Sequence, residues 1–564
     1  MKAKKYSSFY IILALLALVR LIAMWCIPLG EGTEARYAEM AREMLVTNDW
    51  ITVWYKTGIP FWGKPPMTIW LCALSMKTFG VNAFAARLPD FILLVAVLVL
   101  LYHFLKYYRD EKIARVGVLV LASSVLFFIL AGAVLMDPAL LFAIFLCQIS
   151  FFDALERGKK LAGYLFFLGL AIGLLVKGLV IVVLVGGSTF LWVLWQRKWR
   201  DLFTKLSIIT GTLGMLILVL PWYILAELKT PGFLNYFILG EHFSRFMHTA
   251  WQGDKYGSAH AQFFGMIWLY FLTATLPWSL FLISIFRQIL CQSSTFFCKS
   301  RALFCHSRVG GNPSMYKTRM DSRLRGNDRK ECWTDSYFSY WLLCLSFPLI
   351  FFTFARNLIF PYVAPTLPAF AILFAEFWAS YYKDKPENSI FIFFSSSVAV
   401  IVTALLLLGI FYKFPPVLYY SQNKMISTWQ KAKGSAENPI VYWKKSIDTS
   451  ALFYAKGRVL ATVNPEVVCK KVNCNKPVYF VVAEHDLPHF RTQWKIFLQP
   501  TSRGLTAGST NLSTALDPAD KPRDVGAESN KWDVGVEGKT LVKEIAELNV
   551  HPYKEYLVCL EIVS

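Results

Sequence analysis

The sequence predicts a polytopic α-helical membrane protein that carries a soluble α/β domain at its C-terminus. Of its 564 residues, 56% are hydrophobic and 16% are aromatic. Only 17% are charged, whereas a typical soluble domain has about 25%. Apolar runs such as residues 11–27 and 91–105 are long enough to cross a bilayer core of about 30 Å. After residue 414 the long apolar runs stop, and short segments typical of strands follow.

The apolar runs predict about eleven membrane-spanning helices, with a range of about nine to thirteen. The first is expected to be a retained anchor and not a signal peptide, because its apolar stretch is long, Arg20 interrupts it and no small-residue cleavage site follows. Residues 65–80 are apolar but short, which favours a helix at the membrane interface. The predicted spans lie near residues 8–28, 88–107, 114–134, 138–155, 161–176, 179–195, 206–226, 262–286, 337–355, 359–381 and 389–413.

The basic residues predict the orientation of these spans. If the N-terminus is cytoplasmic, every second loop is rich in Lys and Arg, as cytoplasmic loops usually are. The C-terminal region then lies outside the cytoplasm. The net charge of +21 is explained in the same way, and nucleic-acid binding is excluded because the basic residues form no single face interleaved with aromatic residues. The basic loops are residues 106–115, 156–160, 196–205, 288–336 and 381–385.

Unusual polar residues gather on the predicted external face. They are the segment GEGTEARYAEMAREML at 30–45, Asp137, Lys177 and the loop 227–261. Each has a structural explanation: an amphipathic helix that faces water, an N-cap for Asp137, and snorkelling for Lys177. Their occurrence on one face nevertheless predicts a single external site at the membrane surface, because charged groups at membrane depth usually line a cavity or pathway.

These residue types suit acid–base chemistry beside a phosphate. An acid can accept a proton from an attacking hydroxyl, and Lys or Arg can neutralise a phosphate charge. The loop 227–261 contains Glu241 and Arg245 among aromatic residues. His242 and His248 are six residues apart, which does not place two metal ligands on one helical face. No nucleotide-binding glycine motif is present, so we expect no cofactor, with a divalent metal left open, and a substrate that arrives on a lipid carrier.

An ordered set of motifs resembles a known family. The chain is similar to the GT-C glycosyltransferases that use polyprenyl-phosphate sugars, which include the dolichyl-phosphate-mannose protein mannosyltransferases and the lipid A 4-amino-4-deoxy-L-arabinose transferases (glycosyltransferase families 39 and 83). The resemblance covers most of residues 1–415 and implies the GT-C fold, an undecaprenyl-phosphate-sugar donor and a site on the periplasmic face of the bacterial inner membrane. The matching stretches are EARYAEMAREMLVTNDWITVWYKTGIPFWGKPPMTIWL (34–71), FGVNAFAARLPD (79–90), LMDPALLF (135–142), GLAIGLLVKG (169–178), LPWY (220–223), EHFSRF (241–246), LPWS (276–279) and PYVAPTLPAFAIL (361–373).

The resemblance implies roles for individual residues. The family has an acidic pair in its first external loop; Glu34 matches the second acid, but Thr33 occupies the first position, so Glu31 is an alternative. Asp137 matches the second external acid. The implied residues fall into three sets: catalytic Glu34, Asp137 and Glu31; carrier-phosphate-binding Lys64, Arg36, Arg245 and Arg356; and substrate-binding Tyr37, Lys177, Glu241, His242 and Tyr256. Arg356 is included because the family usually has a lysine near Asn357.

The resemblance predicts transfer of a sugar from undecaprenyl phosphate to an envelope acceptor, most readily lipid A. Transfer of mannose or another hexose to a protein or another glycan is the alternative within the enzyme class. A transporter or lipid flippase is the alternative from another class. Such a protein should show repeated halves around a midplane site, and this sequence shows no internal repeat.

The two predicted domains are residues 1–414 and 415–564. In the second we expect strands at PIVYW, RVLATV, PVYFVVA, WKIFLQP and EYLVCLEIV. A disulfide between Cys469 and Cys474 would suit an oxidising compartment. The segments 305–331 and 501–538 resemble translated palindromic repeats and are expected to be disordered or loosely attached. The alternative for 305–331 is a basic patch that binds anionic lipid.

Overall fold

The structure is a computed structural model of the chain, which divides into two compact units. The first unit consists of residues 1–26 and 43–407, and the second consists of residues 27–42 and 408–564. The residues described are 7–56, 58–248, 251–257, 261–282, 336–381, 421–432, 438–444, 446–473, 476–498, 531–533, 540–550 and 553–562. The predicted domain boundary at 414 and the predicted span 389–413 lie outside these residues.

The described part of the first unit is almost entirely helical, as the apolar runs predict. Eleven helices in chain order are α1 (Ser7–Cys26), α2 (Thr33–Thr47, which begins in the second unit), α3 (Met67–Phe79), α4 (Ala83–Tyr108), α5 (Glu111–Ser123), α6 (Val125–Leu130), α7 (Asp137–Arg157), α8 (Lys160–Lys177), α9 (Val180–Gln196), α10 (Trp199–Lys205) and α11 (Ile208–Lys229). They are followed by a π-helix (Asn235–Ser244), α-helices at Arg245–Met247, Met266–Ala274, Ser336–Thr353 and Leu367–Tyr381, and 3₁₀ helices at Trp278–Phe281 and Phe360–Thr366.

Seven helices among the described residues are long and apolar enough to cross a membrane. The prediction of a multi-pass α-helical membrane protein is therefore confirmed. Within residues 65–80, Met67–Phe79 form the short helix α3, and its position at the membrane interface stays a prediction. The seven helices are Phe9–Cys26, Ala83–Tyr108, Asp137–Arg157, Lys160–Lys177, Ile208–Lys229, Ser336–Thr353 and Phe360–Ala379.

The helix pair α7 and α8 brings the two charged residues of the predicted site together. Asp137 is the first residue of α7, and Pro138 follows it in the first turn, where a missing N–H costs no intrahelical bond. Helix α8 packs against α7 and ends at Lys177. Gly178 then takes a φ of 73°, and a Cβ there would lie 2.5 Å from the ring of Phe237. Glycine is therefore required on both counts where α8 ends.

The loop after α11 folds into a π-helix and not into an ordinary interfacial α-helix. The Glu227 carboxylate accepts hydrogen bonds from the N–H groups of Gly232 (2.9 Å) and Leu234 (2.7 Å), which fixes the reversal of the chain before the π-helix. In a π-helix each turn holds an extra residue, and such turns are frequent at functional sites. The π-helix carries Glu241 and His242, and Arg245 follows it directly.

The second unit contains a six-stranded sheet with the order β4-β3-β5-β8-β7-β6. β3 pairs in parallel with β4 and β5, whereas the pairs β5–β8, β8–β7 and β7–β6 are antiparallel. Buried apolar clusters form on both faces of β3 and β5, since Tyr442 and Tyr479 belong to one cluster and Val441 and Phe480 to the other. The strands are β3 (Ile440–Tyr442), β4 (Val459–Ala461), β5 (Val478–Ala483), β6 (Lys531–Asp533), β7 (Thr540–Val550) and β8 (Tyr553–Ile562), and a separate hairpin in the first unit pairs β1 (Trp54–Lys56) with β2 (Ile59–Pro60).

Two predictions for this region are wrong. The strand expected at WKIFLQP is the end of a helix, Leu487–Leu498, because Phe490 and Trp494 are four residues apart and pack together on one apolar face. Disorder is wrong for residues 531–533, which form β6. The other four predicted strands are confirmed. The segment 305–331, most of 501–538 and Cys474 of the expected disulfide lie outside the described residues.

Candidate active site

A cavity of about 430 Å³ lies in the first unit between the helix ends that carry the predicted residues. One part of its wall is charged, and the remainder is apolar. The charged part consists of Lys64, Asp137, Lys177, Glu241 and Arg245, and the polar side chain of His242 lies beside them. The apolar part includes Leu179, Val180, Val183, Leu184, Phe243, Phe246, Met247, Phe351 and Phe352. The cavity therefore suits a ligand with a polar head and a long apolar chain.

Two cations converge on one carboxylate at the charged end of this cavity. Lys64 Nζ donates to Glu241 Oε2 at 2.7 Å, and Arg245 Nη1 donates to both Glu241 oxygens at 3.1 and 3.2 Å. Arg245 Nη2 also lies 3.6 Å from Asp254 Oδ2. Glu241 is almost fully buried, with a side chain that is 3% exposed. Lys64 and Arg245 are thus held close together by the anion between them.

The ion pairs decide the protonation of Glu241. Burial raises the pKa of this carboxyl, but the positive charges of Lys64 and Arg245 lower it more, so that the pKa falls below its ordinary value. Glu241 is consequently ionised at neutral pH. It also competes with any anionic ligand for the two cations, and an arriving phosphate would share or displace these bonds.

Asp137 and Lys177 form a second ion pair on the wall of the same cavity. Lys177 Nζ donates to Asp137 Oδ1 at 2.7 Å, and both side chains are nearly buried. The Lys177 ammonium also lies 4.8 Å from the centre of the Tyr362 ring, within the range of a cation–π interaction. The structure therefore brings together Asp137 and Lys177, which are 40 residues apart in the sequence.

His242 connects the π-helix to the segment that follows α8. Its Nδ1 donates to the Phe237 carbonyl at 2.8 Å, and its Nε2 accepts from the Leu179 N–H at 3.1 Å. Because Nε2 must accept from an amide, these partners assign the neutral imidazole with its proton on Nδ1. Burial lowers the pKa of this imidazole below its usual value, which also favours the neutral form. His242 thus has a positioning role beside Lys177.

Tyr256 fixes the loop that carries Lys64. Its hydroxyl donates to the Pro60 carbonyl at 2.7 Å and accepts from the Trp62 N–H at 3.0 Å. Its ring packs edge-on against Phe61, with centroids 4.8 Å apart. Burial raises the pKa of Tyr256 to about 12, so the hydroxyl stays protonated and able to donate. Tyr256 therefore acts on the site through the position of the Lys64 loop.

The two candidate acids of the segment 30–45, Glu31 and Glu34, belong to the second unit. Glu31 accepts hydrogen bonds from the N–H groups of Thr449 (2.6 Å) and Ser450 (2.9 Å), and from the Ser450 hydroxyl. Glu34 Oε2 accepts from the Gly30 N–H at 3.1 Å. Glu31 thus has an observed structural role at the first turn of a helix in this unit. The catalytic roles of Glu31 and Glu34 stay predictions.

The three remaining candidates occupy different surroundings. Arg36 stacks its guanidinium 5.5 Å from the centre of the Tyr37 ring, within the second unit. Arg356 is exposed, and its backbone N–H bonds to the Phe246 carbonyl at 3.3 Å. Its neighbour Asn357, and not Arg356, is among the residues that line the cavity. A carrier-phosphate role for Arg36 or Arg356 stays a prediction.

Sequence reasoning missed two polar residues of the cavity wall. Asn357 Nδ2 donates to the carbonyls of Arg245 (2.5 Å) and His248 (3.0 Å), and it thereby holds the chain beside Arg245. The ring of Tyr362 makes the cation–π contact with the Lys177 ammonium. Both lie in the motif FARNLIFPYVAP, and polar residues among its apolar neighbours are the sequence signal from which the two could have been predicted. No cluster of three or more metal-ligand side chains occurs within the part of the chain that the structure describes.

Fold and cavity together define a multi-pass membrane protein with a partly charged, partly apolar cavity at the ends of its helices. Comparison with known proteins shows which families of membrane proteins the chain is similar to. Residues 3–237 match the model of the family described as dolichyl-phosphate-mannose-protein mannosyltransferase. The resemblance that the motifs indicate is thus confirmed for this part of the chain.

The curated relatives include several undecaprenyl phosphate-α-4-amino-4-deoxy-L-arabinose arabinosyl transferases. The protein of this name from Erwinia tasmaniensis is 26% identical over 385 residues, which are 66% of this chain and 60% of that protein. The one from Pseudomonas aeruginosa UCBPP-PA14 is 30% identical over 264 residues, 45% of this chain and 46% of its own length. The matched part of the chain spans about half to three fifths of these relatives.

The solved structures confirm the GT-C fold. ArnT from Cupriavidus metallidurans bound to undecaprenyl phosphate superposes with a TM-score of 0.62 at 16% identity, and the match covers 98% of this chain and 97% of that one. The apo state of the same protein also gives a TM-score of 0.62 and covers 87% of this chain.

Proposed function

We propose that this protein is a glycosyltransferase that moves a sugar from undecaprenyl phosphate to an envelope acceptor, with 4-amino-4-deoxy-L-arabinose as the sugar and lipid A as the acceptor. The observation that carries the proposal is the cavity in which Lys64 and Arg245 converge beside a long apolar wall. The names of the relatives supply the sugar and the carrier. The bound carrier of the structural neighbour agrees with this choice.

The carrier fits the cavity by its chemistry. Its phosphate would bind Lys64 and Arg245, which are already oriented by Glu241 and Asp254. A charge-assisted hydrogen bond of this kind is about twice as strong as a neutral one. The isoprenoid chain would lie along the apolar wall near Phe351 and be continuous with the surrounding lipid.

The transfer is a single displacement at the anomeric carbon of the sugar. An oxygen of the acceptor attacks this carbon, and the bond from the carbon to the phosphate oxygen of the carrier breaks. Undecaprenyl phosphate leaves with the electron pair, and Lys64 and Arg245 neutralise its charge. An acceptor phosphate is already ionised and needs no base, whereas an acceptor hydroxyl would give its proton to Asp137.

The sidedness follows from the charge of the loops. The Lys- and Arg-rich loops are assigned to the cytoplasm, so the cavity and the C-terminal unit belong on the periplasmic face of the inner membrane. This orientation would meet a donor that is presented in the outer leaflet of that membrane.

The test is reconstitution of the purified, detergent-solubilised protein with undecaprenyl-phosphate 4-amino-4-deoxy-L-arabinose and lipid A. Mass spectrometry should show lipid A with one added aminopentose and free undecaprenyl phosphate in equal amounts. Unmodified lipid A with intact donor would overturn the proposal. Transfer to a protein or another glycan supplied in parallel would support the alternative acceptor within the same enzyme class.

A further inference from the structure

A second cavity, here called the aromatic cavity, lies beside the π-helix and shares no lining residue with the first cavity. Its volume is about 420 Å³, within the range of ligand pockets of about 300–1,000 Å³. The residues that matter are Trp62, Asn235, Tyr236, Ser244, Trp251 and Lys255. All of them belong to the first unit.

The aromatic walls of this cavity are held in place. The ring of Tyr236 lies 6.1 Å from that of Trp62 and 5.7 Å from that of Trp251. Trp62 Nε1 donates to the Thr230 hydroxyl at 3.1 Å. Trp251 packs flush on Gly240, where an added Cβ would lie only 2.5 Å from its ring. The cavity therefore has fixed aromatic surfaces, which lose little side-chain entropy when a ligand binds.

Polar and positively charged groups complete the lining. The Asn235 amide and the Ser244 hydroxyl line the cavity together with Lys255. The Lys255 ammonium lies 4.2 Å from the centre of the Trp62 ring and 5.2 Å from that of Tyr236. The cavity thus combines aromatic faces, hydrogen-bonding groups and one positive charge.

The aromatic cavity adjoins the cation pair of the proposed carrier site. The Tyr236 hydroxyl lies 3.4 Å from Glu241 Oε1, and Glu241 in turn binds Lys64. Trp62 is only two residues before Lys64 in the same loop. Only the Tyr236 side chain therefore separates a ligand in the aromatic cavity from Glu241, and an acceptor held there would lie close to the proposed carrier site.

We propose that the aromatic cavity binds the acceptor through a pyranose ring that carries a negatively charged group. The proposal rests on the function proposed above and adds the place where the acceptor binds. The π face of an aromatic ring is negative and attracts the C–H groups on the flat side of a sugar. Asn235 and Ser244 would bind the hydroxyls. Lys255 would bind an acceptor phosphate and repel the cationic amino sugar of the donor, which favours the acceptor as the source of the ring.

The direct test uses saturation-transfer NMR on the purified full-length protein, with phosphorylated diglucosamine that lacks acyl chains as the probe. Saturation of the protein should reach the sugar ring protons in the wild type and should be lost in Trp251→Ala and strongly reduced in Lys255→Met. Trp251→Phe, which keeps an aromatic face, should restore part of the effect. Trp195→Ala removes a half-exposed tryptophan elsewhere and should behave as the wild type. Equal saturation in all variants, or none in the wild type, would overturn the proposal.

Kinetics separate the two possible sources of the sugar ring. With the acceptor as the source, Lys255→Met and Trp251→Ala should raise the KM for lipid A about tenfold and leave the KM for the donor unchanged. A rise in the donor KM alone would assign the cavity to the donor and refute the acceptor assignment. If the wild type transfers no sugar, the proposed function fails, and the NMR experiment still decides whether the cavity binds the phosphorylated sugar.

Discussion

Replacement of Lys64 by Met tests the proposed carrier site most sharply. The side chain keeps its length and apolar stem but loses the ammonium that lies 2.7 Å from Glu241. Two effects then act against an anionic carrier. The phosphate loses one charged hydrogen bond, and Glu241 keeps its negative charge with Arg245 as the remaining cation of the pair.

The expected magnitude follows from the lost bond. A hydrogen bond to a charged group contributes about 1.5–3 kcal/mol, and each 1.4 kcal/mol corresponds to about tenfold in affinity. We therefore expect undecaprenyl phosphate to bind Lys64→Met about 10- to 100-fold more weakly. Lys64→Arg, which keeps the charge, should recover most of the affinity.

The assay is equilibrium binding of undecaprenyl phosphate to the purified protein in detergent. The matched control is Lys229→Met, which removes a lysine that pairs with Asp49 at 2.8 Å and does not line the carrier cavity. This control should bind as the wild type. Equal affinity of the wild type and Lys64→Met would refute the carrier-phosphate role of Lys64.

Three further predictions concern the residues that support the site. Tyr256→Phe should destabilise the protein by about 1–3 kcal/mol, since it leaves the partly buried Trp62 N–H without its acceptor; thermal unfolding in detergent measures this, and an unchanged midpoint would contradict it. Protonation of His242 would break its bond from the Leu179 N–H, and burial lowers the folded-state pKa below the unfolded value near 6.5. Between the folded-state and unfolded-state pKa values of His242 the unfolded state binds more protons, so the free energy of unfolding should fall as the pH drops below about 6.5. His242→Gln should weaken this pH dependence, whereas the control His103→Gln should leave it unchanged. Glu31→Ala should increase proteolysis of the C-terminal unit because its hydrogen bonds to two N–H groups are lost, whereas Glu31→Gln keeps an acceptor and should be milder; an equal loss of transfer in both, with intact folding, would instead support a catalytic role.

The apolar membrane helices could be predicted from the sequence because each depends on a continuous run of apolar residues. A run of about twenty apolar residues must cross the bilayer as a helix, whatever else the chain does. The positions of Asp137 and Lys177 at two helix ends followed from the same runs. The sharp breaks beside them, at Pro138 and Gly178, are also visible in the sequence.

The geometry of the site was less accessible from sequence. The Lys64–Glu241 pair joins residues that are 177 positions apart, and no pattern in a single sequence reports such a contact. The π-helix was also missed, because its wider turn changes the apolar spacing from the 3.6-residue period that indicates an α-helix. Glu31 illustrates a third difficulty, since a carboxylate that binds N–H groups of Thr449 and Ser450 looks in the sequence like any other acid of the first loop.

The most direct test of the account is mass spectrometry of lipid A from bacterial cells with and without this gene. The account predicts that the gene adds one 4-amino-4-deoxypentose to lipid A and that Lys64→Met abolishes the addition, whereas Lys229→Met preserves it. Membrane levels of the three proteins should be equal by immunoblot. Unchanged lipid A in cells that contain the wild-type protein and a supply of the donor would contradict the central claim.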